Sequence, residues 1–105
     1  MDKDAPKRVA EAMTEYFLAT LEVKTVKEWL TANGWARRLW LRDGGTVWWR
    51  QRGCFRDELT VPHDETIEAK RALVEAVAKW HSSGCGFHGV LAALLRQQEA
   101  THATD

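Results

Sequence analysis

The sequence predicts an α+β domain in which two N-terminal and two C-terminal helices pack on one face of a small antiparallel sheet. Apolar residues recur at helical spacing in both end regions, whereas residues 36–61 alternate in character and are rich in aromatic and β-branched types. Asp43-Gly44-Gly45 divides this middle region with the chemistry of a hairpin turn. Because a lone hairpin is marginally stable, we expect a helix-covered hairpin or a three-stranded meander.

Length and composition indicate one domain covering residues 1–105, with residues 1–4 and 100–105 expected to fray. The 45% hydrophobic and 29% charged residues exclude a disordered chain, and the short apolar runs predict no contact with a membrane. A formal net charge of +0 excludes a polycation that coats nucleic acid. The charged start of the chain and its two cysteines predict a cytoplasmic protein without a disulfide framework.

The first two helices are predicted from apolar spacing and from their ends. The first covers about residues 6–22, and its apolar stripe consists of Val9, Met13, Tyr16, Phe17 and Leu21. The second helix is predicted to begin at Thr25, because Thr25 and Glu28 have the spacing of a capping box. It is expected to stop at Asn33-Gly34, since glycine accepts the left-handed conformation at a helix end.

The remaining elements follow the hairpin. A third strand is predicted over Phe55–Val61, followed by a helix that reaches Trp80, with Asp64 as its N-cap. That helix is expected to end at residues 82–84. A last helix covers about residues 87–98, with its apolar residues at helical spacing.

The register of the hairpin decides which side chains share a face. A two-residue turn at Gly44-Gly45 pairs Arg42 with Val47 and mixes arginine with apolar residues on both faces. A three-residue turn at residues 43–45 pairs Arg42 with Thr46 and separates the two kinds of residue, so we predict this register. The face expected to pack on the helices then carries Leu39, Leu41, Val47 and Trp49.

The opposite face is predicted to be exposed and functional. Its side chains are Arg38, Trp40, Arg42, Trp48, Arg50 and Arg52. Between Gly34 and Arg56 the chain has six arginines and one acid, Asp43, a local balance of +5, and no lysine. Arginine stacks on aromatic planes and makes bidentate contacts with phosphate or carboxylate groups. A face rich in arginine and tryptophan therefore indicates a binding surface.

Three interpretations of this face stay open. Indole rings could stack on unpaired bases while guanidinium groups hold phosphates, which favours single-stranded nucleic acid. The same residue types are enriched in protein interfaces, including those of homodimers. Arginine stacked on tryptophan also stabilises a monomer by itself. We expect a non-enzymatic accessory or regulatory protein that contacts nucleic acid, with a protein–protein interaction module on the same face as the alternative.

Other reactive side chains give weaker signals. Candidate zinc ligands are Cys54, His63, His81, Cys85 and His88, but they contain no CxxC pair. Cys85 and His88 lack the strand-to-helix context of a nucleophile and its base. We therefore expect no metal, no cofactor and no catalytic residue.

Overall fold

The computed structural model describes residues 5–81 and 86–103. In chain order the elements are α1 (Ala5–Thr20), α2 (Val23–Ala32), β1 (Ala36–Trp40), β2 (Thr46–Arg52), β3 (Phe55–Val61), α3 (Ile67–Trp80) and α4 (Gly86–Ala103). The three strands form one antiparallel sheet in the order β1-β2-β3. This confirms the predicted α+β class, with two helices before the sheet and two after it.

The helix boundaries correct several predictions. Thr25 does not cap α2, which begins two residues earlier, and its buried hydroxyl donates instead to Gln98 Oε1 at 3.0 Å. The N-cap of α3 is Thr66 rather than Asp64, because the extended Thr66 accepts a hydrogen bond from the backbone N–H of Ala69 at 3.2 Å. At its other end, α4 continues past the predicted end at residue 98 to Ala103, whereas the predicted stop at residues 82–84 lies outside the described residues.

Two buried polar side chains fasten the end of α1 to the other helices. Gln98 Nε2 donates to the Thr20 carbonyl at 2.9 Å, and Gln98 Oε1 accepts from the Glu22 N–H at 2.8 Å. Lys70 Nζ donates to the Ala19 carbonyl at 3.2 Å. Since the last carbonyls of a helix have no partner within it, these contacts satisfy the C-terminus of α1 inside the protein.

The apolar stripe predicted for α1 does not enter the core. The residues that α1 buries are Thr14 and Leu18, and Leu21 is buried just after the helix. The other four predicted stripe residues are exposed: Val9, Met13, Tyr16 and Phe17. The prediction of a core-facing stripe is therefore wrong for these four, and a large apolar face of α1 lies on the surface.

The loop between β1 and β2 has the predicted length but begins one residue earlier. The Leu41 N–H donates to the Gly45 carbonyl at 2.8 Å, so the three-residue loop is Arg42-Asp43-Gly44. Gly44 has φ 91°, a left-handed conformation that glycine adopts without strain. The shift moves the pairing by two residues, so Leu39 lies opposite Val47, whereas the predicted register paired it with Trp49. Leu39 and Val47 share one face of the sheet in both registers.

The strand β3 decides which face of the sheet packs on the helices. A two-residue turn at Gly53-Cys54 pairs Arg52 with Phe55, and this register places buried Leu59 opposite Trp48. The helix-facing residues of β2 are therefore Thr46, Trp48 and Arg50. The predicted core face was the wrong one: Leu39 and Leu41 are exposed, and Trp49 lies beside Glu58 on the face away from the core.

The core joins this inner face of the sheet to all four helices. It is built from leucine and valine side chains around two tryptophans, Trp35 and Trp48. Val47 is buried on the outer face of the sheet, apart from this core. None of the helices in the described ranges combines the length and apolar character needed to cross a bilayer.

Candidate nucleic-acid interface

The six residues predicted to form one contact surface are divided by the fold. Arg38, Trp40, Arg42 and Arg52 are exposed, as predicted. Trp48 is only 5% exposed, and its indole Nε1 donates to the buried Thr46 hydroxyl at 2.9 Å. The prediction that Trp48 is available to a ligand is wrong, because it lies on the inner face of the sheet.

Arg50 also belongs to the inner face, where Asp57 neutralises it. Its Nε and Nη2 atoms donate to Asp57 Oδ2 at 3.1 and 2.6 Å, and the Asp57 side chain is 2% exposed. The Arg50 guanidinium carbon lies 5.0 Å from the centroid of the Trp35 ring. Because a buried carboxylate without its cation is costly, Arg50 is retained by the fold and is not offered to a ligand.

His81 completes this cluster after the end of α3. The Trp35 Nε1 donates to His81 Nε2 at 2.9 Å, and Arg50 Nη1 lies 3.0 Å from the same nitrogen. Burial lowers the pKa of His81 from its ordinary 6.5, the Arg50 guanidinium lowers it further, and the Asp57 carboxylate acts in the opposite direction. A neutral imidazole is what the indole needs as an acceptor, so His81 serves a structural hydrogen bond.

A basic aromatic surface remains along β1 and the loop after it, and we call it the β1 patch. It consists of Arg37, Arg38, Trp40 and Arg42, all of them exposed. Within residues 5–81 and 86–103, its three guanidinium groups have no ion pair or hydrogen bond. The acid in the adjoining loop, Asp43, is turned to the backbone, where its Oδ1 accepts from the Gly45 N–H at 2.8 Å.

The centre of the β1 patch is a stacked pair. The Arg37 guanidinium carbon lies 4.6 Å from the centroid of the Trp40 ring, and Trp40 is 61% exposed. Such a stack uses the flat face of the guanidinium and leaves its N–H donors available at the edge. Arg37 was not among the predicted site residues, because strict alternation along β1 places it on the face opposite to Trp40. The β-bulge between Arg37 and Leu39 breaks that alternation and brings Arg37 to the same side as Trp40.

A second stacked pair lies on the outer face of the sheet. The Arg56 guanidinium carbon is 3.8 Å from the centroid of the Trp49 ring. The two residues are diagonal neighbours on adjacent strands, at the range where long side chains meet. Arg56 was absent from the predicted site, although the β3 register would have placed it beside Trp49.

The charge of the sheet surface is lower than the sequence suggests but still positive. Exposed arginines are Arg37, Arg38, Arg42, Arg52 and Arg56, and exposed acids are Asp43 and Glu58, a balance of five minus two, or +3. The Arg52 Nη2 atom also reaches Asp57 Oδ1 at 3.4 Å, while its side chain stays 63% exposed. The uncompensated positive charge is therefore densest at the β1 patch.

The reactive side chains considered from the sequence form no site within the described ranges. No group of three or more histidine, cysteine, aspartate or glutamate side chains is arranged there to hold a metal ion. His81 is engaged by Trp35, Cys54 is exposed in the β2–β3 turn, and His88 lies against Phe87 on α4. The candidate nucleophile Cys85 lies outside the described residues.

Searches for related proteins among family models, curated proteins and solved structures find no match to this chain.

Proposed function

We propose that the protein contacts nucleic acid through the β1 patch, acting as a non-enzymatic accessory or regulatory protein. The observation that carries the proposal is that three exposed arginines of β1 and its loop have no acidic partner among the described residues, and that one of them, Arg37, is stacked on the exposed Trp40 ring. Arginine without an acidic partner keeps its donors available for phosphate oxygens.

The order of residues in the patch suits a single strand. Arg38 and Arg42 lie two positions before and two positions after Trp40. We infer that a strand with one base stacked on Trp40 is contacted through its phosphates by these two arginines. Stacking on an indole requires an unpaired base and is tolerant of its identity, so we expect preference for single strands over duplex and little sequence selectivity.

Two variants separate stacking from charge in a binding titration with a fluorescently labelled random single-stranded oligonucleotide. Trp40→Ala is expected to weaken binding by about 1–3 kcal/mol and to leave the salt dependence nearly unchanged. Arg38→Gln removes a phosphate contact, so the slope of log K against log salt is expected to fall by about 0.7.

Matched controls locate the site. Lys24→Gln removes one exposed positive charge from α2, and Phe55→Ala removes an aromatic ring that is 68% exposed at the other end of the sheet. Both are expected to bind like the parent protein. Equal losses for Phe55→Ala and Trp40→Ala would contradict the β1 patch as the binding site.

A protein partner on the same surface is the alternative. It is favoured by Leu39 and Leu41, which alternate along the chain with Arg38, Trp40 and Arg42 and leave 53% and 37% of their surfaces exposed, with Leu39 on the outer face of the sheet. Apolar side chains next to arginine and tryptophan are typical of interface cores. If the oligonucleotide shows no change in anisotropy at low salt and micromolar protein, nucleic-acid contact is excluded and the interface hypothesis takes its place.

A further inference from the structure

The hairpin loop Arg42-Asp43-Gly44 packs against the connection between β3 and α3. A Cβ atom placed on Gly44 would lie 2.9 Å from His63 Cγ, 3.1 Å from His63 Nδ1 and 3.2 Å from His63 Cβ. Carbon atoms in contact are separated by about 3.5–4.0 Å, so the Gly44 backbone lies against the His63 side chain and leaves no room for a side chain of its own. The loop that carries Arg42 therefore has a contact outside its own hairpin.

This contact follows from the register of β2 and β3. The ladder between the two strands ends at the pair Thr46 and Val61. The same register, continued by two residues on each strand, places His63 opposite Gly44. Pro62 restricts the path of the chain at this point, because its ring fixes its own backbone angle φ. The position of His63 is thus set by the sheet.

The connection between β3 and α3 is also held by the helices. Glu65 Oε1 accepts a hydrogen bond from the backbone N–H of Val23, at the start of α2, at 3.4 Å. The Thr66 hydroxyl caps α3 at the next position. His63 therefore belongs to a short segment that is fastened to the sheet at one end and to two helices at the other, which makes it a firm support for the loop.

Arg42 depends on this loop for its position. It is exposed, it lies two residues before Gly44, and no ion pair or hydrogen bond holds it among the described residues. The bond from the Gly45 N–H to Asp43 Oδ1 shapes the turn but ties it only to its own hairpin. Since surface loops are mobile and ordering them on binding costs affinity, a loop that is already held favours a ligand of Arg42.

We propose that His63 is a positioning residue of the nucleic-acid interface. Its contact with Gly44 holds the hairpin loop and fixes where the Arg42 side chain leaves the end of the β1 patch. His63 acts through this contact and not through its charge, and it does not touch the ligand. The role in binding rests on the proposed function, because it concerns the same surface.

Two substitutions of His63 separate contact from charge in the oligonucleotide titration. His63 is exposed, so its replacement is compatible with the fold. His63→Ala removes the ring that supports Gly44 and is expected to weaken binding about two- to fivefold. His63→Asn keeps a planar group with atoms at the Cγ and Nδ1 positions but has no ionisable ring, and it is expected to bind like the parent protein. His88→Ala removes an exposed histidine from α4 and is the matched control, with parent affinity expected.

A His63→Asn variant as weak as His63→Ala would overturn the proposal, because the imidazole would then act on the ligand directly. A double-mutant cycle tests the route through Arg42. His63→Ala is expected to cost nothing further in an Arg42→Gln background and to keep its full effect in an Arg38→Gln background. A full loss in the Arg42→Gln background would equally overturn the proposal.

NMR relaxation of backbone amides in the free protein measures the loop itself. The amides of residues 43–45 are expected to have lower order parameters in His63→Ala than in the parent, and parent values in His63→Asn and His88→Ala. Unchanged loop amides in His63→Ala would overturn the role of His63 whatever the oligonucleotide shows. Loop amides that become mobile in His63→Ala, in a parent protein that binds no oligonucleotide, would overturn the proposed function alone and leave His63 as the residue that positions Arg42.

Discussion

Two arginine–tryptophan pairs in this molecule have similar geometry, but only one of the two arginines is paired with an acid among the described residues. Arg50 lies 5.0 Å from the Trp35 ring and Arg37 lies 4.6 Å from the Trp40 ring. Arg50 is also held by the buried carboxylate of Asp57, whereas no acid pairs with Arg37 among the described residues. The stack itself therefore says little about function, and the presence of a neighbouring acid separates a structural arginine from one available to a ligand.

The largest effect that this comparison predicts concerns the tryptophans. Trp48→Ala is expected to lower the free energy of unfolding by about 3–5 kcal/mol, because it leaves a cavity in the core. Trp40→Ala removes an exposed ring and is expected to change stability by less than about 0.5–1 kcal/mol. Urea denaturation of both variants measures the difference. Equal losses would contradict the difference in burial between Trp40 on the edge strand and Trp48 in the core.

The next effect concerns the acid that distinguishes the two arginines. Asp57→Ala leaves Arg50 without its partner on the inner face. Because the Arg50 side chain keeps 17% exposure, we expect a loss of about 2–3 kcal/mol, below the value for a fully buried pair. Asp43→Ala serves as control, since it removes one exposed aspartate whose bond to Gly45 is worth about 1 kcal/mol. A smaller loss for Asp57→Ala than for Asp43→Ala would contradict the structural role of Arg50.

The fold class was accessible from the sequence because each element has strong local signals. Helical spacing, the glycine turns and the alternation in residues 36–61 predict the observed element order. The inner face of the sheet was assigned wrongly, because Trp48 and Trp49 are adjacent and either could enter a core. The signal that resolves them lies in β3, where Leu59 and Val61 alternate with polar residues and the turn at Gly53 fixes their position opposite β2.

The candidate site was only partly predictable for the same reason. Arg38, Trp40, Arg42 and Arg52 are exposed whichever face packs on the helices, since β1 is an edge strand and Arg52 ends β2. Arg37 could not be placed, because a bulge is not marked by any residue type in β1. The exposure of the apolar stripe of α1 could not be predicted from the sequence, because such a stripe has the same residue pattern whether it packs on the core or lies on the surface.

The stability of the protein is expected to depend on pH through His81, which contacts Arg50 and Trp35 on the inner face of the sheet. The pKa of His81 is lowered in the folded protein by burial and by Arg50, while the unfolded chain has the ordinary value of 6.5. Below pH 6.5 the unfolded state therefore binds more protons than the folded one, and stability falls as the pH decreases from 6.5 toward the folded pKa. Above pH 6.5 this contribution is fully present.

Thermal unfolding between pH 5 and 8 measures that dependence, in a range where few carboxyl groups titrate. His81→Gln is expected to flatten the curve between pH 5 and 7 relative to the parent protein. His88→Gln, which replaces an exposed histidine on α4, is the matched control and is expected to follow the parent curve. A flattening for His88→Gln and none for His81→Gln would refute the neutral acceptor assigned to His81.

The smallest predicted effect tests whether the stack in the β1 patch matters for binding. Arg37→Lys keeps the positive charge but loses the planar group that lies on Trp40. We expect oligonucleotide affinity to fall by about 0.5–1 kcal/mol, the value of an exposed cation–π contact, with an unchanged salt slope. In a Trp40→Ala background the same substitution should cost nothing further, because the ring that orders the guanidinium is gone. An equal loss in both backgrounds would mean that Arg37 acts on the ligand without help from the stack.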